Sequence, residues 1–323
     1  MSIVRIFAAF NKLINMKLKL FLPILLLCVF TNLFAQRDFS SSGITQVVML
    51  GTGNPNPSPE QSGCSVAIVV NDTPYIVDFG TGLIRRAAAM SPAYGGKIKG
   101  LNVKNIKHAF LTHLHSDHTT GYPDLILTPW VMGRDEPITV YGPEGLNDMT
   151  HHILKAYQED IRYRLYGDEP SNNQGWRVDS HEFMKEGVIY QDKNIKVEAF
   201  PVPHGKWPNA WGFRFTTPDK VIVMSGDSSP SDKVAEYSAG ADILIHEVYY
   251  KKGYDTKNEF WRNYHAKNHT STLQLGEIAA KAKPKLVVLY HILYWGAEEK
   301  DLLNEIATKY NGKVIVGKDL DVY

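Results

Sequence analysis

The sequence predicts two β-sheets packed face to face with helices on their outer surfaces. Short β-branched runs bounded by Gly, Pro and Asn recur in both halves of the chain. Stretches with apolar residues at helical spacing fall between them. Polar residues able to carry chemistry stand at the ends of the apolar runs. Two strand-rich halves of this kind, each with its helices, give sheet on sheet with helices outside. The 323 residues are 44% apolar, enough for a substantial core, and the formal net charge of +1 gives no whole-chain pull toward nucleic acid.

The first element read along the chain is a leader. Residues 16–36, MKLKLFLPILLLCVFTNLFAQ, combine a Lys-bearing start, an apolar run over 20–30 and the small residue Ala35. This predicts a secretory signal peptide over residues 1–35, translated from Met1 or Met16, and one domain over 36–323. The apolar run is about half of a membrane span. A lipoprotein signal at Cys28 is disfavoured by the bulky Leu27, and an uncleaved anchor is a further alternative. The expected location is periplasmic or secreted, with no membrane association after cleavage. Removing the leader leaves Cys64 as the one cysteine, without a disulfide partner, and GCSVAIVV reads as a buried strand around it.

Strands are expected over residues 45–51, 64–71, 73–80 and 106–113, with a Gly- and Pro-rich loop between the first two. A helix follows at 83–90, PDLILTPWVM reads as a short helix, ITVYG as a strand, and 144–166 as the longest helical stretch. Residues 167–183 read as a loop. IKVEAFPVPH, WGFRFTT, KVIVMSGD and ADILIHEVYY are strands of the second half. A helix over 270–283, the strand KLVVLYHI, a helix over 298–310 and the strand KVIVGKD complete it.

The chemistry concentrates where the strand over 106–113 ends. LTHLHSDHTT places His113, His115, Asp117 and His118 within six positions. Neutral imidazoles and carboxylates are usual ligands of zinc. His113 and His115 leave one side of a turn and Asp117 and His118 another, so one ion cannot easily take all four, whereas two ions can. Further ligands are available at later strand ends: His204 in FPVPHG, Asp227 in VIVMSGD and His291 in LVVLYHI. A polar residue at the end of a buried strand is held rigidly over the core. Each alone reads as a satisfied histidine or a turn aspartate; together with the cluster they read as a site.

The series resembles the metallo-β-lactamase superfamily, over residues 47–323. The resemblance implies an α+β, four-layer αββα sandwich with a dinuclear zinc site, although such N/O ligands also accept Mn2+ or Fe2+. It assigns His113, His115 and His204 to one ion, Asp117, His118 and His291 to the other, and Asp227 to a bridge. LGTGNPNPSPEQSG, THLHSDHTTGYPDL, IHEVYY and NHTSTLQLGEIAAKA resemble the ribonuclease Z and arylsulfatase-like branch. That likeness makes His269 the residue near the leaving group, with Glu247 as its partner, and Asp117 the group orienting the attacking water. Thr270 or Ser271 also has a purely structural reading as a helix cap.

No Gly- and Pro-rich basic arm of the kind that clamps tRNA is present in the sequence. With the leader, this leads to an expected exported hydrolase of phosphodiesters or aryl sulfates. Its substrate would be a small anionic ester rather than a nucleic acid, and homodimers are common in the branch. A lactonase or β-lactamase-type hydrolase is the alternative, as is a tRNA 3′-end endonuclease if the chain is not exported. A binding protein that had abandoned catalysis would have lost ligands, and an oxygen-handling diiron protein would carry Glu where His115 stands. Trp207 and Trp211 either line a pocket or pack. The charges of DIRYRLYG read as a solvated helix face, and His108, His151, His152, His181 and His246 lack ligand spacing, with His265 the weaker competitor of His269.

Overall fold

β-Branched runs separated by tight turns build the first sheet. β1 (Thr45–Gly51), β2 (Ser65–Val70) and β3 (Thr73–Val77) are antiparallel. The β2–β3 turn is Asn71-Asp72, with both φ angles positive (49° and 61°), as a two-residue hairpin turn requires. α1 (Leu83–Met90) leads to β4 (His108–Phe110), which runs parallel to β3. α2 (Ser116–Thr119) and α3 (Tyr122–Val131) lead to β5 (Ile138–Gly142), and α4 (Leu146–Ala156) and α5 (Gln158–Tyr166) to β6 (Val178–Glu182), both parallel additions. The computed structural model describes residues 44–323, so the signal-peptide reading of residues 1–35 lies outside it.

The second sheet repeats the scheme. β7 (Gly187–Gln191), β8 (Lys196–Pro201), β9 (Trp211–Thr216) and β10 (Val221–Met224) form an antiparallel meander. α6 (Asp232–Tyr237) then gives way to β11 (Ile243–Tyr249), which is parallel to β10. α7 (Lys251–Asp255), α8 (Glu259–Asn268) and α9 (Thr272–Ala282) precede β12 (Leu286–Leu293), and α10 (Glu299–Ala307) precedes β13 (Val314–Val316). The strand orders are β1-β2-β3-β4-β5-β6 and β13-β12-β11-β10-β9-β8-β7.

Alternation along β1 shows how both faces are buried. Val47 and Met49 join Val66, Phe110, Phe213 and Ile245 between the sheets. Val48 and Leu50 turn outward against Leu83 of α1 and Tyr122 and Trp130 of α3. On the other side Leu275 of α9 and Leu302 of α10 cover Val287 and Leu289. The result is the expected α+β sandwich of four layers, αββα. Cys64 is fully buried in it. No helix among the described residues is long and apolar enough to cross a membrane.

Several elements differ from the sequence reading. The helix over 144–166 is two helices, broken at Tyr157, whose φ and ψ (−98°, 12°) leave the helical region. Residues 167–183 contain β6, an edge strand whose VDSHE carries no apolar run. The strand over 106–113 stops at Phe110, which frees the chain to turn at His113. The helix α8 was not expected at all.

Candidate metal centre

The residues assigned to the centre stand just past a strand's carboxyl end or in its last residues, where open α/β sheets also place their ligands. The loop after β4 carries His113 and His115, and α2 carries Asp117 and His118. His204 follows β8, Asp227 follows β10, Glu247 lies within β11 and His291 within β12. His291 is the extra residue of a bulge: Glu247 pairs with Tyr290 and Val248 with Ile292. Its φ of 47° is unusual for a side chain larger than glycine, and its amide donates to the Thr52 carbonyl at 3.0 Å.

Two four-residue groups of ligand atoms form, each with its atoms within 4.8 Å of one another: His113, His115, His204 and Asp227; and Asp117, His118, Asp227 and His291. Two three-residue groups adjoin them, Cys64 with Asp78 and His118, and Glu247 with His269 and His291. Asp227 belongs to both. In the first group His113 Nε2 and His204 Nε2 lie 3.0 and 3.2 Å from His115 Nδ1. In the second, His291 Nε2 is 3.0 Å from Asp117 Oδ2. His118 Nε2 and Asp227 Oδ1 are buried 3.4 Å apart, and neither makes a well-formed hydrogen bond among the described residues.

Surrounding groups fix which nitrogen faces inward. His204 Nδ1 lies 2.8 Å from the Asn268 carbonyl, which can only accept, so Nδ1 carries the proton and Nε2 is bare. Asp78, fully buried just past β3 at φ 61°, lies 2.8 Å from His118 Nδ1 and accepts from the Thr112 amide at 2.8 Å. The Thr112 hydroxyl donates to the same carboxylate and is 3.0 Å from His113 Nδ1, from which it accepts. Asp78 thus orients one histidine from each group, directly or through Thr112.

The electrostatics suit cations. Burial pushes His113 well below the usual imidazole range, and it lowers His115 and His204, keeping all three neutral as ligands require. Burial would raise Asp227, but His291 and His118 hold its carboxyl well below the usual range. Burial would lower His118, but Asp78, Asp227 and Asp117 raise it well above that range. The carboxylates demand positive charge among them, as protons on imidazole or as metal. Bare inward nitrogens, orphaned buried atoms and an all N/O donor set fit divalent metal ions.

His269 and Glu247 flank the groups. His269 Nδ1 is 3.5 Å from Glu247 Oε2 and 4.0 Å from Asp227 Oδ2. Burial, with Asp227 adding to it, pushes the Glu247 carboxyl well up, and burial brings His269 down to about 4, so both favour their neutral forms. Glu247 Oε1 accepts from the Thr270 amide at 2.8 Å, and Ser271 caps α9, so the HTS run has both structural and site contacts.

A cavity of about 910 Å³ opens on His115 and His204. Trp207 lines it, with its ring centroid 4.2 Å from that of His115, while Trp211 is buried against Phe183. The two tryptophans therefore divide between the two readings. Arg162 and Arg164 pair with Glu159, Asp160 and Glu169 on or beside α5. His108 stacks on Tyr75, His151 and His152 are exposed on α4, and His246 is fully buried in β11. Sequence reasoning missed Asp78, although it too is a polar residue at the end of an apolar strand, and it missed α8 beside the site.

The sandwich and its two histidine–aspartate groups define a metal-dependent hydrolase, and the chain belongs to the beta-lactamase superfamily. The family described as Beta-lactamase superfamily domain matches residues 73–292. Relatives named ribonuclease Z include that of Mycobacterium bovis (strain BCG / Pasteur 1173P2), 27% identical over 85% of this chain and 96% of its own. Another, from Mycobacterium sp. (strain KMS), is 29% identical over 85% of this chain and 94% of its own. Among solved structures, human tRNase Z, short form, superposes with a TM-score of 0.63 at 21% identity, covering 86% of this chain and 98% of that one. The metallo-beta-lactamase fold protein YhfI from Bacillus subtilis gives 0.62 at 19%, covering 86% and 99%.

These relatives overturn the expected exported hydrolase of small phosphodiesters or aryl sulfates, and with it the expectation of no nucleic-acid substrate.

Proposed function

We propose that this protein is a ribonuclease Z-type endonuclease that hydrolyses a phosphodiester bond at the 3′ end of precursor tRNA. The observation that carries the reading is Asp227 shared between two ligand groups, with His269 beside it. Similarity over 85% of this chain to proteins named ribonuclease Z supports the substrate class. We assign two divalent ions, zinc by preference, to the two groups. So held, they would acidify water and neutralise the phosphodiester charge.

The chain's own residues would then do the following. Asp117, its Oδ2 facing His291 Nε2, orients the attacking water. The water's oxygen bonds to phosphorus, its proton passing to Asp117, as the bond from phosphorus to the 3′ oxygen breaks. His269 gives the departing oxygen a proton from Nε2 as its Nδ1 takes the proton that the neutral Glu247 carboxyl carries 3.5 Å away. The products are a 3′ hydroxyl on the tRNA and a 5′ phosphate on the trailer.

The test is zinc-loaded protein with a tRNA precursor carrying a 3′ trailer, with and without chelator. Chelator-sensitive release of the trailer is expected. Intact precursor alongside hydrolysed bis-p-nitrophenyl phosphate would refute the RNA substrate. The leader reading remains a separate proposal of export, checked by N-terminal sequencing from fractionated cells; an intact N-terminus in the cytoplasm would end it.

A further inference from the structure

The helix α8, EFWRNYHAKN, has ten residues and no buried one. A helix at a protein surface normally buries an apolar stripe. Here the large side chains stay open: Phe260 is 70% exposed, Trp261 47% and Tyr264 40%. Contiguous exposed apolar surface of this kind marks a binding site.

Its position says which site. Two cavities meet the metal centre, one on each side of α8. The first, about 910 Å³, is lined by Phe260 and Trp207 and reaches His115 and His204. The second, about 370 Å³, is lined by Trp261 and Trp295 and reaches His269 and His291. Tyr264 lines both and separates them. Cations accompany the rings on each side. Lys206 and Lys267 stand over the first cavity, neither in an ion pair among the described residues. Lys257 lies 4.8 Å from the Trp295 ring centroid in the second.

Aromatic faces interleaved with lysines, in grooves that meet at a phosphodiester-cleaving centre, match single-stranded nucleic acid. Resting on the ribonuclease reading above, we infer that α8 splits the strand at the scissile phosphate and that each groove stacks one of the flanking bases. His269 opens on the second groove, so the nucleotide whose 3′ oxygen departs stacks there with Trp261. The nucleotide that keeps the phosphate stacks in the first groove with Phe260.

The experiment uses the full zinc-loaded protein and precursor tRNA carrying one abasic nucleotide, either 5′ or 3′ of the cleaved bond. In the wild type each abasic site lowers kcat/KM by roughly 5- to 150-fold, the range for loss of one stacked base. Trp261→Ala loses its sensitivity to the 5′ abasic site and keeps that to the 3′ site; Phe260→Ala does the reverse. Variants that respond to both abasic sites as the wild type does overturn the stacking assignment and leave the ribonuclease reading standing. An exchanged pattern overturns the direction of the strand. A wild type that cleaves neither intact nor abasic precursor overturns the ribonuclease reading itself.

Discussion

The Asp78 carboxylate meets His118 Nδ1 at 2.8 Å with both side chains fully buried. This contact fixes the tautomer that turns Nε2 toward Asp117 and Asp227, at 3.5 and 3.4 Å. Replacing Asp78 leaves every ligand in place and removes only its orientation. Asp78→Asn is expected to weaken metal binding by about 10- to 100-fold, the usual cost of losing such a partner. Competition against a chromophoric chelator measures it; unchanged affinity would mean the ligand set alone holds the geometry.

The two ligand groups predict unequal losses of metal. His204 belongs to the first group alone, His291 to the second alone, and Asp227 to both. His204→Ala and His291→Ala should each lose one equivalent of tightly bound metal. Asp227→Ala should impair both equivalents and remove most thermal stabilisation by added zinc, since a ligand that binds only the folded state raises its stability by mass action. Metal analysis after dialysis, with melting curves, checks this; equal stoichiometry in all three variants would refute two distinct positions.

His246 gives a pH dependence separate from catalysis. It is fully buried in β11, Nε2 has no hydrogen-bond partner among the described residues, and burial lowers its pKa to about 4. In the unfolded chain the imidazole takes a proton near pH 6.5, so stability present above that pH is lost as pH falls toward 4. Between pH 7 and 5 the wild type should lose about 2 kcal/mol more than His246→Leu, which has no proton to gain. Urea unfolding at the two pH values tests the difference; equal losses would remove His246 from the account.

The sandwich was legible because its strands are short, nearly continuous runs rich in Val and Ile and its turns are written in Gly, Asn and Pro. The candidate ligand groups were legible because their residues crowd after β4 and recur at or near strand ends. Asp78 passed unnoticed because residues 73–80 read as one strand that contained it, whereas β3 ends at Val77 and only the tertiary fold brings Asp78 to His118. α8 went unread for the opposite reason: its aromatics serve no core, so no buried stripe imposes a helical period. The net charge of +1 and the absent basic arm argued against RNA at the level of the whole chain. Whole-chain charge averages over the surface, whereas Lys206, Lys257 and Lys267 line the cavities beside the centre.

His269 tests the division of labour between metal and protein. It lies outside both four-residue ligand groups around Asp227 but faces Asp227 and Glu247 from the rim. His269→Ala should therefore keep its metal and lose about 10²- to 10⁴-fold in rate on precursor tRNA, whose departing alkoxide needs a proton. On bis-p-nitrophenyl phosphate the loss should be far smaller, because nitrophenolate departs without one. This contrast separates proton donation from support of the fold, since a merely distorted site would slow both substrates alike. Equal losses on the two substrates would make His269 a positioning residue, and a loss of metal would make it a ligand.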